Sequence, residues 1–481
     1  MSTDELPEDY KRRRAADEVF WHEQERNIQG ALGQPCCTLS GIASGLLRIK
    51  GRFAIVVHGE DECAGCFRHM GPGMAGLFCT GLTEQEFVTG KTAGPLRRCL
   101  EVVSEELQPE AIFVLGACPV EVIGDRFEVV VAEVNARYPQ ITMLALHTSG
   151  LKVGSQTAML DWMFESLASL PPRQLGQERW RRETVRMALK VLNEVVEDEP
   201  APLDAAVDEV LARGALGRLT PERSVVFVGL PMPRQLRDGR PEHIEVLQAA
   251  GLRVLGNFPG AATLDDWRAI KVPRASFVAD RSLYPRLVTV LEASGQQVVE
   301  VPLPVGIGQT DEFFATVGRI TGQAEAIEAA VAPRRARAQA RLDAFKARFG
   351  GLRLAYGMRM NNNYNADELA YQGLGDYPAL AELGFDVTLV VQGPPDKREK
   401  FATMFERRGV ALPFEMFAEP WVLGDLLRDG AFKVACVADH CRSECQKAGA
   451  ALLPLRSFDP YYEGVVRNCD HIERVLGTLG L

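Results

Sequence analysis

Short runs of apolar, often β-branched residues alternate along this chain with longer stretches whose apolar positions recur every three or four residues. The first pattern predicts strands buried on both faces and the second predicts helices laid over them, which together make the βαβ signature of parallel sheets. In the first third, strands are predicted at "FAIVV" (53–57), "AIFVLG" (111–116) and "TMLAL" (142–146), with "GPLRRCLEVVSEELQ" (94–108) as a helix between the first two. A second set follows at "SVVFVGL" (224–230), "LRVLGN" (252–257), "ASFVA" (275–279) and "QVVEVP" (297–302). A third comprises "LRLAYGM" (352–358), "DVTLVVQG" (386–393), "FKVACVA" (432–438) and "ALLPL" (451–455). Between the last two sets runs "AEAIEAAVAPRRARAQARLDAFKARF" (324–349), predicted as helices on either side of Pro333 with its arginines on a solvated face. The charged, proline-containing passage at 192–209 reads as a domain boundary. The expected fold is α/β, with three doubly wound parallel-sheet (Rossmann-like) domains in series over residues 1–195, 196–325 and 326–481.

Length agrees, because 481 residues are too many for one core. Hydrophobic content of 46% and charged content of 25% are those of an ordinary globular protein. A net charge of -10 argues against a nucleic-acid partner, since phosphate binding needs a basic face. The start, "MSTDELPEDYKRRRAADEVFW", has no apolar signal-like core, and no segment offers ~18 uninterrupted apolar residues, so a cytoplasmic protein without membrane contact is expected. In that compartment the 11 cysteines read as metal-binding or redox groups rather than disulfides. Cys36, Cys37, Cys63, Cys66, Cys79, Cys99 and Cys118 crowd the first quarter, and the next is Cys436.

Ligands of doubly wound sheets gather beyond the carboxyl ends of the strands. Cys63 lies six residues past "FAIVV", Cys118 two past "AIFVLG", and Cys37 precedes the amphipathic "LSGIASGLLRIKG" that leads into the first strand. All three can therefore reach one edge of one domain. The stretch "VVHGEDECAGCFRHM" (56–70) admits several chemistries by itself. A redox dithiol at Cys63 and Cys66 is opposed by Glu60, Asp61 and Glu62, which raise a thiol's pKa. Structural zinc wants four ligands, usually as two close pairs, and Cys441 and Cys445 with His440 are nearly 400 positions away. An iron–sulfur cluster takes widely spaced thiolates and can draw them from two subunits. Cys99, within a helix, and Cys436, within a strand, read as small buried hydrophobes.

Nucleotide sites are weakly signalled. "VTGKT" (88–92) ends like a phosphate-binding loop, but Gln85 stands where its first glycine belongs and no apolar strand precedes it. The Gly-x-Gly of "GLGDYPALAELG" (373–384) lies in a helical pattern and reads as packing.

Several segments together resemble the nitrogenase component 1 beta chain. "VVHGEDECAGCFRHM" is similar to its His-Gly-x-x-x-Cys-x-x-x-Phe-Arg segment, "GLTEQEFVTG" (81–90) to its Thr-Glu-x-x-x-Val-x-Gly segment, and "LGACPVEVIGDRF" (115–127) to its Cys-x-x-Glu-Val-Ile-Gly-Asp segment. "LALHTSGLKVGSQTAMLDWMFESLA" (144–168) and "VPLPVGIGQTDEFFATVGRITG" (301–322) resemble two further motifs of that family. The likeness is concentrated over residues 30–170, patchy in the middle and mainly architectural after 350.

This resemblance implies a beta-type subunit of a nitrogenase-like reductase. It implies Cys37, Cys63 and Cys118 as this chain's ligands to an iron–sulfur cluster, either 8Fe–7S (P-cluster-like) or 4Fe–4S, shared with an alpha-type subunit in a heterotetramer. Cys36 adjoins Cys37 and leaves a one-residue ambiguity, while Cys66 falls where the family has a non-ligand side chain. ATP hydrolysis would belong to a separate 4Fe–4S reductase homodimer. The alpha-type subunit anchors its active-site cofactor with a Cys in the second domain and a His in the third. Here "ASFVADRSLYP" (275–285) has no Cys and "LPLRSFDPYYEG" (453–464) no His, so no catalytic or cofactor-binding residue is expected in this chain. Among nitrogenase-like enzymes the resemblance favours methylthio-alkane reductase over the chlorophyllide and protochlorophyllide reductases, with a cofactor-assembly scaffold as the non-catalytic alternative.

Overall fold

The computed structural model describes residues 37–46, 49–65, 76–149, 156–170, 221–230, 241–258, 262–357, 377–393, 396, 398–407, 411–437, 441–454 and 458–477. Strands β1 (Phe53–His58), β2 (Leu77–Cys79), β3 (Ala111–Gly116) and β4 (Thr142–His147) form the first sheet, in the order β2-β1-β3-β4. Strands β5 (Ser224–Val228), β6 (Arg253–Phe258), β7 (Ala275–Val278) and β8 (Gln297–Glu300) form the second, ordered β6-β5-β7-β8. The third joins β9 (Arg353–Gly357), β10 (Asp386–Gln392), β11 (Phe414–Phe417), β12 (Val434–Val437) and β13 (Ala451–Pro454) in the order β11-β10-β9-β12-β13. Every pairing is parallel.

All eleven expected strands are present. Those at the centre carry the unbroken apolar runs because both faces are covered, and every residue of β3 is buried. The two strands that the pattern does not predict, β2 and β11, are sheet edges whose side chains are mostly half-exposed. The helix expected at 94–108 spans Ala93–Leu107 and buries Leu96, Leu100 and Val103, one stripe at helical spacing.

Pro333 does not break its helix, contrary to expectation. Ala324–Phe349 is one continuous helix with the proline inside. A proline there forfeits one backbone hydrogen bond and costs roughly 3 kcal/mol. Burial of Ile327, Val331, Ala338, Leu342, Phe345 and Phe349 along the same face offsets that cost. Its arginines also do more than face solvent. Arg335 pairs with Asp311 and Glu328, Arg337 with Glu463, and Arg341 with Asp470 and Glu473, tying this helix to Ile307–Thr321 and Tyr461–Gly477.

Carboxylates join the sheets at helix N-termini, where free backbone N–H groups attract negative charge. Asp161, in helix Gln156–Ala168, accepts from the Arg286 and Leu287 amides at 2.8 and 3.0 Å, which open helix Pro285–Ala293. Glu382 accepts from the Ile307 and Gly308 amides at 2.6 and 2.7 Å. One apolar cluster accordingly runs through the first and second sheets, and another through the second and third. The domain boundary expected near 195 lies outside the described residues, and the one at 325/326 falls in the first turn of Ala324–Phe349. Among the described residues, no helix is long and apolar enough to cross a membrane.

Candidate functional site

The carboxyl ends of β1 and β3 lie side by side, paired as far as His58 and Gly116. Beyond β1, Gly59 and Glu60 lead into the short helix Asp61–Gly65, which carries Cys63. Beyond β3, Ala117 is the N-cap of helix Cys118–Val122, so Cys118 is its first residue, with Pro119 next. The Ala117 amide donates to the His58 carbonyl at 3.0 Å and locks the two turns together. Both turns demand glycine. A Cβ on Gly59 would lie 2.5 Å from the Ala117 Cβ, and one on Gly116 would lie 2.7 Å from the Phe127 ring.

Cys37 arrives from a third direction. It is exposed and precedes helix Thr38–Leu46, whose Thr38 hydroxyl donates to the Thr148 carbonyl just past β4. The Thr148 hydroxyl in turn donates to the Gly116 carbonyl at 2.7 Å. Two hydroxyls thus connect Cys37 to the strand end from which Cys118 departs. Cys63 and Cys118 are both half-buried.

The electrostatics report the same convergence. The Cys63 thiol is pushed up to about 11, first by burial, then by the thiolate of Cys37, the carboxylate of Glu60, and the thiolates of Cys118 and Cys79. Burial is the largest of these effects. An unmetallated site of this kind resists ionisation, whereas a bound cation inverts the balance and holds its thiols deprotonated.

A polar group gathers on the opposite face of the sheet from Cys63. His58 is buried, with Nε2 3.2 Å from Asp125 Oδ2 and Nδ1 3.2 Å from Thr80 Oγ1. Burial holds this imidazole below its ordinary value, against the pull of the Asp125 carboxylate. Phe127 packs between His58 and His147, with centroids 5.9 and 5.0 Å away. His147 Nδ1 lies 3.4 Å from Glu121 Oε1, which also accepts from the Ser149 amide at 3.4 Å. All of these residues but Thr80 lie in the strand-end stretches 56–70, 115–127 and 144–168, where no spacing marks them for a role.

Among the described residues, no three His, Cys, Asp or Glu side chains converge on a single metal ion. An iron–sulfur cluster makes a different demand, for separate thiolates spread over several irons. Thiols on three chain segments near one sheet edge are donors of the type such a group takes. Cys36 and Cys66 lie outside the described residues, as does His440. Cys441 and Cys445 are buried in an apolar cluster with Ala355, Val390 and Leu427, far along the chain from this edge.

The "VTGKT" segment is not a phosphate cradle. Gly90 ends helix Glu84–Thr89 in the left-handed conformation, at φ 65°. Its amide and that of Lys91 are already bonded to the Phe87 and Glu86 carbonyls at 3.3 and 3.0 Å.

A family model for nitrogenase component 1 type oxidoreductases matches residues 37–407, beginning at Cys37 itself. The chain belongs to the nitrogenase component 1 family. Its fold agrees, since a solved structure of nitrogenase Cp1 at pH 6.5 superposes with a TM-score of 0.63 over 93% of this chain and 92% of that one. A second Cp1 structure, at pH 5, gives 0.62. Sequence identities of 14% and 15% make this a likeness of fold alone. Subunit N of the light-independent protochlorophyllide reductase of Rhodopseudomonas palustris, from either of two strains, is 24% identical over 332 residues, which is 66% of this chain. That match spans 64% of the relative, less than two thirds of its length. Membership places the chain among proteins of nitrogenase component 1 type.

Proposed function

We propose that this chain is the beta-type subunit of a nitrogenase-like reductase complex, in which Cys37, Cys63 and Cys118 hold its share of an iron–sulfur cluster at the interface with an alpha-type subunit. The observation that carries the reading is the arrival of these three cysteines, from three separate segments, at the carboxyl edge of one parallel sheet. The group they would hold, of 8Fe–7S or 4Fe–4S type, supplies one-electron storage at low potential when bound. Exposed Cys37 would meet the partner, while Cys63 and Cys118 are half-buried. His58, Asp125 and Phe127, on the opposite face of the sheet from Cys63, would fix the strand ends from which Cys63 and Cys118 depart.

Electrons would come from a separate ATP-dependent 4Fe–4S reductase homodimer, and substrate would be reduced in the alpha-type subunit of a heterotetramer. We assign the substrate as a methylthio-alkane, whose carbon–sulfur bond two electrons and two protons split into a thiol and a hydrocarbon. A tetrapyrrole reductase is the second reading, favoured by the likeness to a protochlorophyllide reductase subunit. A cofactor-assembly scaffold is the third.

Purification of the complex without oxygen tests the cluster. Cys118→Ala should lose iron and low-temperature paramagnetic signal in proportion, while Cys99→Ala should keep both. Full iron content in Cys118→Ala would refute the assignment. The same preparations, assayed with methylthio-alkanes and with protochlorophyllide, separate the substrates. Intact clusters that reduce neither, yet pass a cofactor to another protein, would establish the scaffold.

A further inference from the structure

The carboxyl edge of the first sheet carries a fourth thiol. Strand β2 is parallel to β1 and in register with it, Val57 opposite Cys79, so Cys79 marks the carboxyl end of β2 beside the turn that leads to Cys63. Side chains alternate along a strand. Leu77 and Cys79 pack on the face that also holds helix Thr38–Leu46, Cys63 and Ala64, whereas Phe78 packs on the opposite face. The ends of β2, β1 and β3 thus deliver Cys79, Cys63 and Cys118, and Cys37 arrives through the hydroxyl link to the end of β4.

Cys79 packs at the rim of an apolar cluster, yet its sulfur is met by polar backbone. Cys436, in the centre of the third sheet, is fully buried in an apolar cluster. Cys79 is half-exposed and its Sγ is set among polar backbone. It donates to the Gly59 and Glu60 carbonyls at 3.5 and 3.4 Å and accepts from the Gly81 amide at 3.5 Å. Those carbonyls belong to the turn that carries Cys63. The two turns are further clasped by the Leu82 amide on the Gly59 carbonyl at 2.8 Å and the Gly59 amide on the Thr80 hydroxyl at 3.1 Å. Asp61 closes the same corner, its Oδ1 3.2 Å from where a Gly81 Cβ would be.

We propose that Cys79 is a fourth iron ligand, so that in place of a share of the thiolates this chain supplies all four, with Cys37, Cys63 and Cys118, to a 4Fe–4S cluster at the same interface. The proposal rests on the reading of the other three as cluster ligands. Four thiolates complete the set that a 4Fe–4S cluster requires. On ligation each thiol releases its proton to solvent as its sulfur–iron bond forms, and no electron is transferred. Cys79 then gives up its bonds to the two carbonyls and keeps the Gly81 amide, an N–H donor of the kind that tunes cluster potential.

The test uses the full chain produced alone, reconstituted with ferrous iron and sulfide under argon. Iron content, paramagnetic signal after reduction and midpoint potential are measured, with far-ultraviolet circular dichroism to check folding. The wild-type chain should bind about four irons, the number in one such cluster. Cys79→Ala should lose iron and signal, and Cys79→Ser, nearly the same size, should fold and hold a cluster of altered signal and midpoint. Cys99→Ala should match wild type. A wild-type chain that binds no iron overturns the proposal. So do folded Cys79→Ala and Cys79→Ser variants with wild-type iron, signal and midpoint, and if Cys63→Ala and Cys118→Ala then lose iron, the three-thiolate reading still stands. Iron retained in both Cys63→Ala and Cys118→Ala would sink that earlier reading and this one with it.

Discussion

Removing the charge of Glu242 should abolish a pH dependence of stability at the junction of the second and third sheets. Glu242 opens helix Glu242–Ala249 and is buried. Its Oε2 accepts from the Glu463 amide at 2.9 Å, in the first turn of Tyr461–Gly477, and Oε1 lies 3.9 Å from Arg334. Burial lifts this carboxyl from an ordinary 4.5 to about 7, with the Glu463 carboxylate adding to the rise; the Glu463 amide, Arg334 and Arg467 oppose it. The fold therefore favours the protonated acid. Its contribution to stability is complete below the unfolded value of 4.5 and is lost as pH rises through the folded value near 7. At 1.36 kcal/mol for each pH unit between the two, the loss has an upper limit of about 3 kcal/mol. Glu242→Gln keeps a carbonyl to accept from the Glu463 amide and cannot ionise. Thermal unfolding of the full chain at pH 5, 6, 7 and 8 should show the wild type losing stability relative to the variant, with the gap opening toward pH 8. Parallel curves for the two proteins would refute the reasoning. Midpoints are the quantity to compare, because a chain of three sheets need not unfold in two states.

Gly116→Ala places a methyl 2.7 Å from the Phe127 ring, and overpacking of this kind costs about 1–3 kcal/mol. The lowered unfolding midpoint should come with loosened packing around His58 and His147, read as a shift in histidine NMR signals. Calorimetry of the purified complex with Mg-ATP, without its reductase, should show no tight binding, because the Gly90 and Lys91 amides are already bonded within their own turn; micromolar affinity confined to this subunit would revive a nucleotide site.

The sequence by itself determined the class of fold and where its central strands end. Central parallel strands are buried on both faces, so β3 and β12 must be written as unbroken apolar runs, and such runs are legible without coordinates. Edge strands are under no such demand. Strands β2 and β11 keep half-exposed side chains and leave no pattern to find, which is why the fourth cysteine at the edge, Cys79, went without a role. Pro333 shows the converse, a clear local signal overruled by six buried side chains on neighbouring turns of one helix.

At the candidate site, spacing was enough to place Cys63 and Cys118 just past the ends of β1 and β3. Nothing in the spacing could show that Thr38 reaches Thr148, that His58 meets Asp125, or that Phe127 wedges between two histidines. Those contacts join residues as far as 110 positions apart, and only the lateral order of the strands brings them together. Local pattern encodes which residues are buried and where strands end. The partners that meet at those ends are set by the tertiary arrangement, because a hydrogen bond depends on distance in space and a sequence records only distance along the chain.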